Sequence, residues 1–305
     1  MSKIPDITAV GSMALDTVTT HYGTHENCLG GSAVYFSMSA SFQAKVGLIG
    51  VVGDDFPKAH VELLKNHGID LDGLEVVKGA KTFRWSGSYL NDVNAADTHC
   101  TMLNVFATFE PKIPENYKKA KTLFLANILP SLQMKVIEEM GPDCYKVCDT
   151  MNFYINSARP ELERVFENVN VIVMNDGEIK MFTDQANLIR AGRLVMEKFY
   201  PEYLIVKKGE HGSLVFGRGG FMKAIPAFPT EKVVDPTGAG DSFAGGVLGF
   251  IARNGRLNNE NVAEAVRYGT AMGSFLVTGF SIDGFMDLTL AKIEERVEAL
   301  RNLSK

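Results

Sequence analysis

Short apolar runs recur along the chain, most of them bounded by glycine or by a polar cluster. "DITAVG", "AKVGLIGVVG", "KTLFLANI", "YKVCDT", "NVIVMN" and "EYLIVKKG" are rich in β-branched residues. Such runs read as strands buried on both faces, because a strand with one wet face would alternate. Between them lie segments with helical spacing, such as "PKAHVELLKNHG" and "SLQMKVIEEMG", each closed by a glycine. Strand and helix in alternation predict an α/β fold, a doubly wound, mostly parallel sheet flanked by helices. In sheets of this kind ligands gather beyond the carboxyl ends of the strands.

Two stretches break the alternation. "SMALDTVTTHYG" and "KTFRWSGSYLNDVNAADTHCTMLNVFATF" are rich in Thr, Ser and aromatic residues. In the second, period-two spacing puts Phe83 and Trp85 on one side of a strand and Arg84 and Ser86 on the other. They predict a small antiparallel β lid formed from about 13–28 and 81–109. After Gly240 the chain turns helical, and "TLAKIEERVEALRNL" places Leu290, Ile293, Val297 and Leu300 on one face. With no repeat, low-complexity tract or linker, residues 1–305 read as one domain carrying this lid.

Composition narrows the classes of function. A formal charge of −5, without a Lys/Arg run, argues against nucleic acid and against an anionic membrane as partners. The start "MSKIPDITAVG" lacks the apolar region of a signal peptide, and no stretch approaches the roughly 18 apolar residues of a membrane span. Cys28, Cys100, Cys144 and Cys148 form no CxxC pair, and Cys144 and Cys148 read as buried free thiols. These features point to a cytoplasmic protein.

Chemistry concentrates in "VVDPTGAGDSFAGG", Val233 to Gly246, which reads as strand, tight turn and helix. Gly238, Ala239 and Gly240 sit where the helix begins, so their N–H groups lack intrahelical acceptors and can bind an anion. Asp241 follows in the first turn. A carboxylate there can simply favour the helix start; beside a bound phosphoryl group it can also act as a base. No GxxxxGK[ST] occurs, and "GAGDSF" lacks the third glycine of a dinucleotide fingerprint.

"DPTGAGDSFAGG" resembles the carboxyl-terminal signature of the ribokinase-like (PfkB) family of sugar and nucleoside kinases, and the likeness extends over nearly the whole chain. The resemblance implies a doubly wound sheet with a small β lid. It implies Asp241 as the general base and the 238–240 amides as the anion hole for the moving phosphoryl group. Asp235 and Thr237 match positions that help to bind a monovalent cation such as K⁺ in many members; alone, they read as a turn former and a hydroxyl cap.

Other positions match residue by residue. Asp16, in "GSMALD", falls on an acid that grips sugar hydroxyls. Gly30, Gly31 and Ser32 match the glycine pair and helix start where substrate approaches the backbone. In "NDGE", Asn175 and Glu178 match a motif that orders Mg²⁺, often through water, and ATP phosphate; the same four residues outline a capping box. Gly209 matches the glycine beneath the nucleotide, and Lys207 stands where relatives often carry Thr, able to touch a phosphate or merely to edge the strand. Asn127 stands where ribokinases place an acid, and Asp149 and Asn152 resemble a cleft-lining pair. Tyr35 and Ala14 also depart from the ribokinase pattern. The lid aromatics Phe83, Trp85 and Tyr89 can pack on a second subunit or stack on a nucleobase.

The resemblance therefore implies an ATP- and Mg²⁺-dependent phosphotransferase acting on a hydroxyl of a small sugar. A nucleoside kinase of the same family is the alternative, and a non-catalytic sugar-sensing protein on the same fold is another. The expected partners are a small sugar or nucleoside and a second copy of the chain, paired through the lid.

Overall fold

The structure, a computed structural model, describes residues 4–303. The first three residues of the start quoted above, and the last two of the chain, lie outside the described residues. The first apolar run forms β1 (Ile7–Val10), and the Thr-rich stretch after it makes β2 (Ala14–Thr20) and β3 (Gly23–Gly30). Then follow α1 (Ser32–Ser41), β4 (Val46–Gly53), α2 (Lys58–Asn66) and β5 (Asp70–Val77). β6 (Phe83–Ser88) and β7 (Asp97–Met102) come next, then β8 (Thr122–Leu125), α3 (Pro130–Glu139) and β9 (Tyr145–Cys148). The middle of the chain adds α4 (Asn152–Ser157), α5 (Arg159–Glu167), β10 (Val171–Asn175), α6 (Asp176–Thr183) and α7 (Leu188–Phe199). The last part holds β11 (Tyr203–Lys207), β12 (Ser213–Gly217), β13 (Met222–Ile225), α8 (Ala239–Asn254), α9 (Val262–Leu276) and α10 (Leu290–Leu303).

Nine strands form one sheet in the order β13-β12-β11-β10-β9-β8-β1-β4-β5. The pairs from β5 to β11 are parallel, and β12 and β13 close that edge antiparallel. β1 lies between β4 and β8, so the order of winding reverses there, and helices cover both faces. Successive residues of each central strand enter opposite cores: Val171 and Val173 join a layer with α1, α8 and α9, while Ile172 and Met174 join one with α3, α5 and α7. This two-sided burial is why the strand sequences show no alternation.

The small sheet has the order β3-β2-β6-β7. Its two outer pairs are antiparallel, as predicted, but β2 and β6 run parallel. Both strands leave the carboxyl end of a parallel strand of the main sheet, β1 and β5, and so set out in the same direction. β3 reaches Gly30, beyond the predicted 28, and Asn104–Thr108 forms a 3₁₀ turn rather than strand. In α10, Ile293, Val297 and Leu300 are fully buried, whereas Leu290 is 39% exposed, because it opens the helix before the packed stretch starts. No helix among the described residues is long and apolar enough to cross a membrane.

Candidate active site

The carboxyl ends of adjacent parallel strands deliver polar residues to one corner of the molecule. Asn127 follows β8, Asp149 follows β9, Asn175 ends β10 and Lys207 ends β11. The start of α8 faces them. There Gly238 adopts φ 76°, a left-handed conformation open to glycine, and a methyl built on it would lie 2.2 Å from the Tyr35 ring. The turn thus depends on glycine twice over, for its backbone and for space. Ala239 N–H donates to the Pro236 carbonyl (3.1 Å) and Ser242 N–H to the Gly238 carbonyl (2.8 Å). The N–H groups of Gly238, Gly240 and Asp241 have no acceptor among the described residues. The expected trio of 238–240 is corrected by one position: Ala239 is tied into the turn, and Asp241 supplies the third open amide.

Asp241 keeps part of its side chain open to the cleft. Burial, then the charge of Asp149, pushes its carboxyl up to about 8, against the pull of Lys207. Lys207 Nζ donates to Asp149 Oδ2 at 2.7 Å, with the two side chains 15% and 6% exposed. Burial alone would lower the ammonium, but Asp149 and then Glu178 outweigh it and hold it above the usual lysine range. Thr150 N–H donates to the other Asp149 oxygen at 2.9 Å.

The predicted capping box forms: Glu178 N–H donates to Asn175 Oδ1 (2.8 Å), and Asn175 N–H donates to Glu178 Oε2 (2.7 Å). Glu178 is buried, and burial plus the Asp149 charge holds its carboxyl above the ordinary range. Asp149, Glu178 and Asp241 thus share a corner with one ammonium, an excess of negative charge that a cation would relieve. No cluster among the described residues has the three His, Cys, Asp or Glu ligands of a protein-built metal cage. That composition fits Mg²⁺ carried in on phosphates and water, with one protein carboxylate at its edge.

Asp16, on β2, is 4% exposed and accepts from the Gly31 N–H, while its Oδ1 has no partner. Burial pushes its carboxyl up to about 7, with Asp235 adding to the shift. A methyl on Gly30 would come 1.9 Å from Asp16 Oδ2, so the glycine pair leaves the acid its room. Ser32 exchanges hydrogen bonds with Ser12, Ser32 N–H donating to Ser12 Oγ at 3.0 Å, which fixes the start of α1 beside β1. Asp235 Oδ1 accepts from Thr237 N–H (2.8 Å) and Oδ2 from Ser281 N–H (3.0 Å), locking the turn before α8 onto the loop after α9. Those two bonds account for Asp235 without a cation; K⁺ has no separate support in the geometry.

Other predicted residues have their own surroundings. Asn152 is exposed at the start of α4. Asn127 donates to Met151 Sδ at 3.0 Å and leaves its buried Oδ1 without a partner. Gly209 (φ 53°) lies two residues past Lys207, where the tip of the β6–β7 hairpin reaches it: a methyl built on it would meet Asn94 Oδ1 at 2.1 Å, and Asn94 Nδ2 donates to Glu210 Oε2 at 2.6 Å. The lid aromatics divide. Phe83 packs on Phe106 of the 3₁₀ turn after β7, with ring centroids 5.2 Å apart, and Trp85 Nε1 donates to Thr98 Oγ1 on β7. Tyr89 instead faces Thr237, and burial pushes its phenol up to about 12. Arg84 pairs with Asp55 (3.0 Å) and donates to Asn27.

Sequence reasoning did not find Gln133. Its buried amide donates to the carbonyls of Ala126 (2.9 Å) and Asp149 (3.2 Å), tying together the ends of β8 and β9 beneath the site. A glutamine on a helix carries no local signal for this. Two surface hollows, of about 310 and 280 Å³, lie elsewhere, at the amino end of β11 and among α5, α6 and α7.

A doubly wound sheet whose strand ends converge on an anion-ready helix start, with a carboxylate in that helix's first turn, is the framework of a phosphoryl-transferring α/β enzyme. The sequence matches the pfkB family of carbohydrate kinases over residues 8–284, and the chain belongs to that family. It is 30% identical over 270 residues to a cytidine kinase of Thermococcus kodakarensis, covering 87% of this chain and 93% of that protein. Among solved structures, the nucleoside kinase of Burkholderia thailandensis in complex with inosine superposes with a TM-score of 0.79 at 20% identity, covering 97% of this chain and 99% of the other. An E. coli protein of the ribokinase type, solved with ATP and Mg²⁺, superposes with a TM-score of 0.77 at 19% identity, covering 98% of this chain and all of the other.

Proposed function

We propose that the protein is an ATP-dependent nucleoside kinase that phosphorylates the primary hydroxyl of the ribose unit. The observation that carries the reading is the full-length likeness to a cytidine kinase, which favours a nucleoside over a free sugar as acceptor. Family membership supports a phosphotransferase. The residues supply a consistent chemistry for it.

In this reading the open amides of Gly238, Gly240 and Asp241 hold the oxygens of the γ-phosphoryl group, aided by the positive end of the α8 dipole. Asp241 takes the proton of the acceptor hydroxyl. Its raised proton affinity suits that task near neutral pH, provided it starts ionised. Asp16, with an unpartnered buried oxygen, accepts from ribose hydroxyls. Tyr89 and Thr237 close the acceptor side, and the small sheet serves as a lid that keeps water out. Glu178 and Asn175 would hold Mg²⁺, in part through water, and the ion would supply charge neutralisation for the ATP phosphates. K⁺ beside Asp235 stays a proposal from the family pattern.

The test is a panel of nucleosides, free pentoses and free hexoses incubated with ATP and Mg²⁺, read by ADP release. Nucleosides are expected to be turned over with a kcat/KM at least about a hundredfold above any free sugar. Turnover confined to free sugars would overturn the acceptor assignment. Ligand-dependent stabilisation without turnover on any acceptor would favour a sensing protein.

A further inference from the structure

We propose that Lys207 is a catalytic residue whose ammonium is shared between Asp149 and the γ-phosphoryl oxygens, neutralising charge on the group in flight. The inference rests on the kinase reading above and deepens it.

Three observations carry it. First, Lys207 Nζ lies against the opening turn of α8: a methyl built on Gly240 would stand 2.9 Å from it. An ammonium beside the positive end of a helix is electrostatically unfavourable by itself. Two sources of positive potential converge on one spot, an arrangement that makes sense when an anion comes between them. Second, Lys207 is placed by rigid structure. It ends β11, paired in register with Asn175 of β10 and Ser213 of β12, so its stem leaves the sheet at a fixed height. Asp149 holds the head at 2.7 Å while accepting from Thr150 N–H with its other oxygen. Asp241, in the first turn of α8, also faces the ammonium, so Lys207 stands within reach of Asp149, of the proposed base and of the open amides together. Third, the same corner leaves polar atoms orphaned. Asp16 Oδ1, on a side chain 4% exposed, and the buried Thr237 Oγ1 have no partner, as befits a site that closes around a ligand.

The step balances simply. The acceptor oxygen forms a bond to Pγ, the bond from Pγ to the bridging oxygen breaks, and ADP leaves with the electron pair. The acceptor proton goes to Asp241, and Lys207 stays protonated throughout. Its charge is worth most where negative charge is spread over the transferring oxygens, in a site from which water is excluded.

The experiment uses the full-length protein with Lys207→Met, Lys207→Arg and Asp149→Asn, with thermal melts to establish folding. Two readouts are taken: kcat and KM on the best nucleoside, and affinity for ADP alone against ADP with fluoroaluminate, a mimic of the phosphoryl group in flight. Lys207→Met is expected to lose about a hundredfold or more in kcat. It should keep ADP affinity within about threefold while losing the added affinity for the fluoroaluminate complex. Lys207→Arg is expected to recover about tenfold of the loss, since it keeps the charge but not the shape. Asp149→Asn keeps the charge of the ammonium while weakening its anchor, and should be far milder than Lys207→Met. Equal losses from either side of the pair, or a folded Lys207→Met with kcat within about threefold of wild type, would overturn the proposal. If Lys207→Met does not fold, Lys207→Arg and Asp149→Asn decide by the same fluoroaluminate preference. If the wild type turns over no nucleoside, the kinase reading fails by itself, and the two affinities still show whether Lys207 contacts the phosphoryl position.

Discussion

Asp16, which the proposed function sets against the acceptor, is a residue whose burial costs stability. Its carboxyl is pushed from 3.8 to about 7 on folding. The folded state therefore binds that proton more tightly than the unfolded chain, and stability falls as pH rises from about 4 to 7. Above pH 7 the penalty is complete, a few kcal/mol at about 1.4 kcal/mol per unit. Asp16→Asn is thus expected to melt higher than wild type at pH 8, with the advantage vanishing near pH 4, while acceptor use is lost. A variant with the same advantage at both pH values would refute the burial argument. The sequence marked Asp16, Asn175, Glu178, Lys207 and Asp241 through their motifs. It did not show that Ala239 is tied into its own turn, or that Asp149 pairs with Lys207. Those facts depend on backbone bonds and on residues 58 positions apart, which no local pattern encodes.

Among the elements, α8 carries most of the design. Residues Ser242 to Ile251 are buried, because the helix passes between α1 and α9. Close approach on both sides is made by glycine: a methyl on Gly245 would lie 2.5 Å from the Phe36 carbonyl oxygen, and one on Gly246 would lie 2.6 Å from that of Tyr268. Neither backbone can move without shifting its helix. Gly245→Ala is expected to destabilise the protein by about 1–3 kcal/mol, from overpacking rather than from helix propensity, which alone would favour alanine. Denaturant unfolding measures it, and a neutral or stabilising result would mean the helices can separate freely. The helices and parallel strands were legible because burial on two faces leaves unbroken apolar runs. The parallel β2–β6 pair was not, since alternation within a strand says nothing of its neighbour's direction.

At the scale of the whole molecule, the winding order reverses at β1 and the polar strand ends from β8 to β11 open toward α8. The small sheet reaches over the same region, with Tyr89 near Thr237 and Asn94 on Glu210. Its aromatics read from sequence as a dimer face or a base-stacking face. Within the chain Phe83 meets Phe106 and Trp85 meets Thr98, while Tyr89, just past the end of β6, faces Thr237. The class of fold was legible in full. The acceptor was not, since the residues that would select it come from the small sheet, the glycine pair and α8 together. What unites these parts is the claim that the open end of α8 holds a phosphoryl group while Asp241 deprotonates its acceptor. The most direct measurement is the single-turnover rate of transfer from ATP to the best nucleoside for wild type and Asp241→Asn, with nucleotide and nucleoside affinities taken in parallel. The account predicts a fall in rate of about a hundredfold or more with both affinities within about threefold. A rate that survives the substitution, or one lost only together with binding, would contradict it.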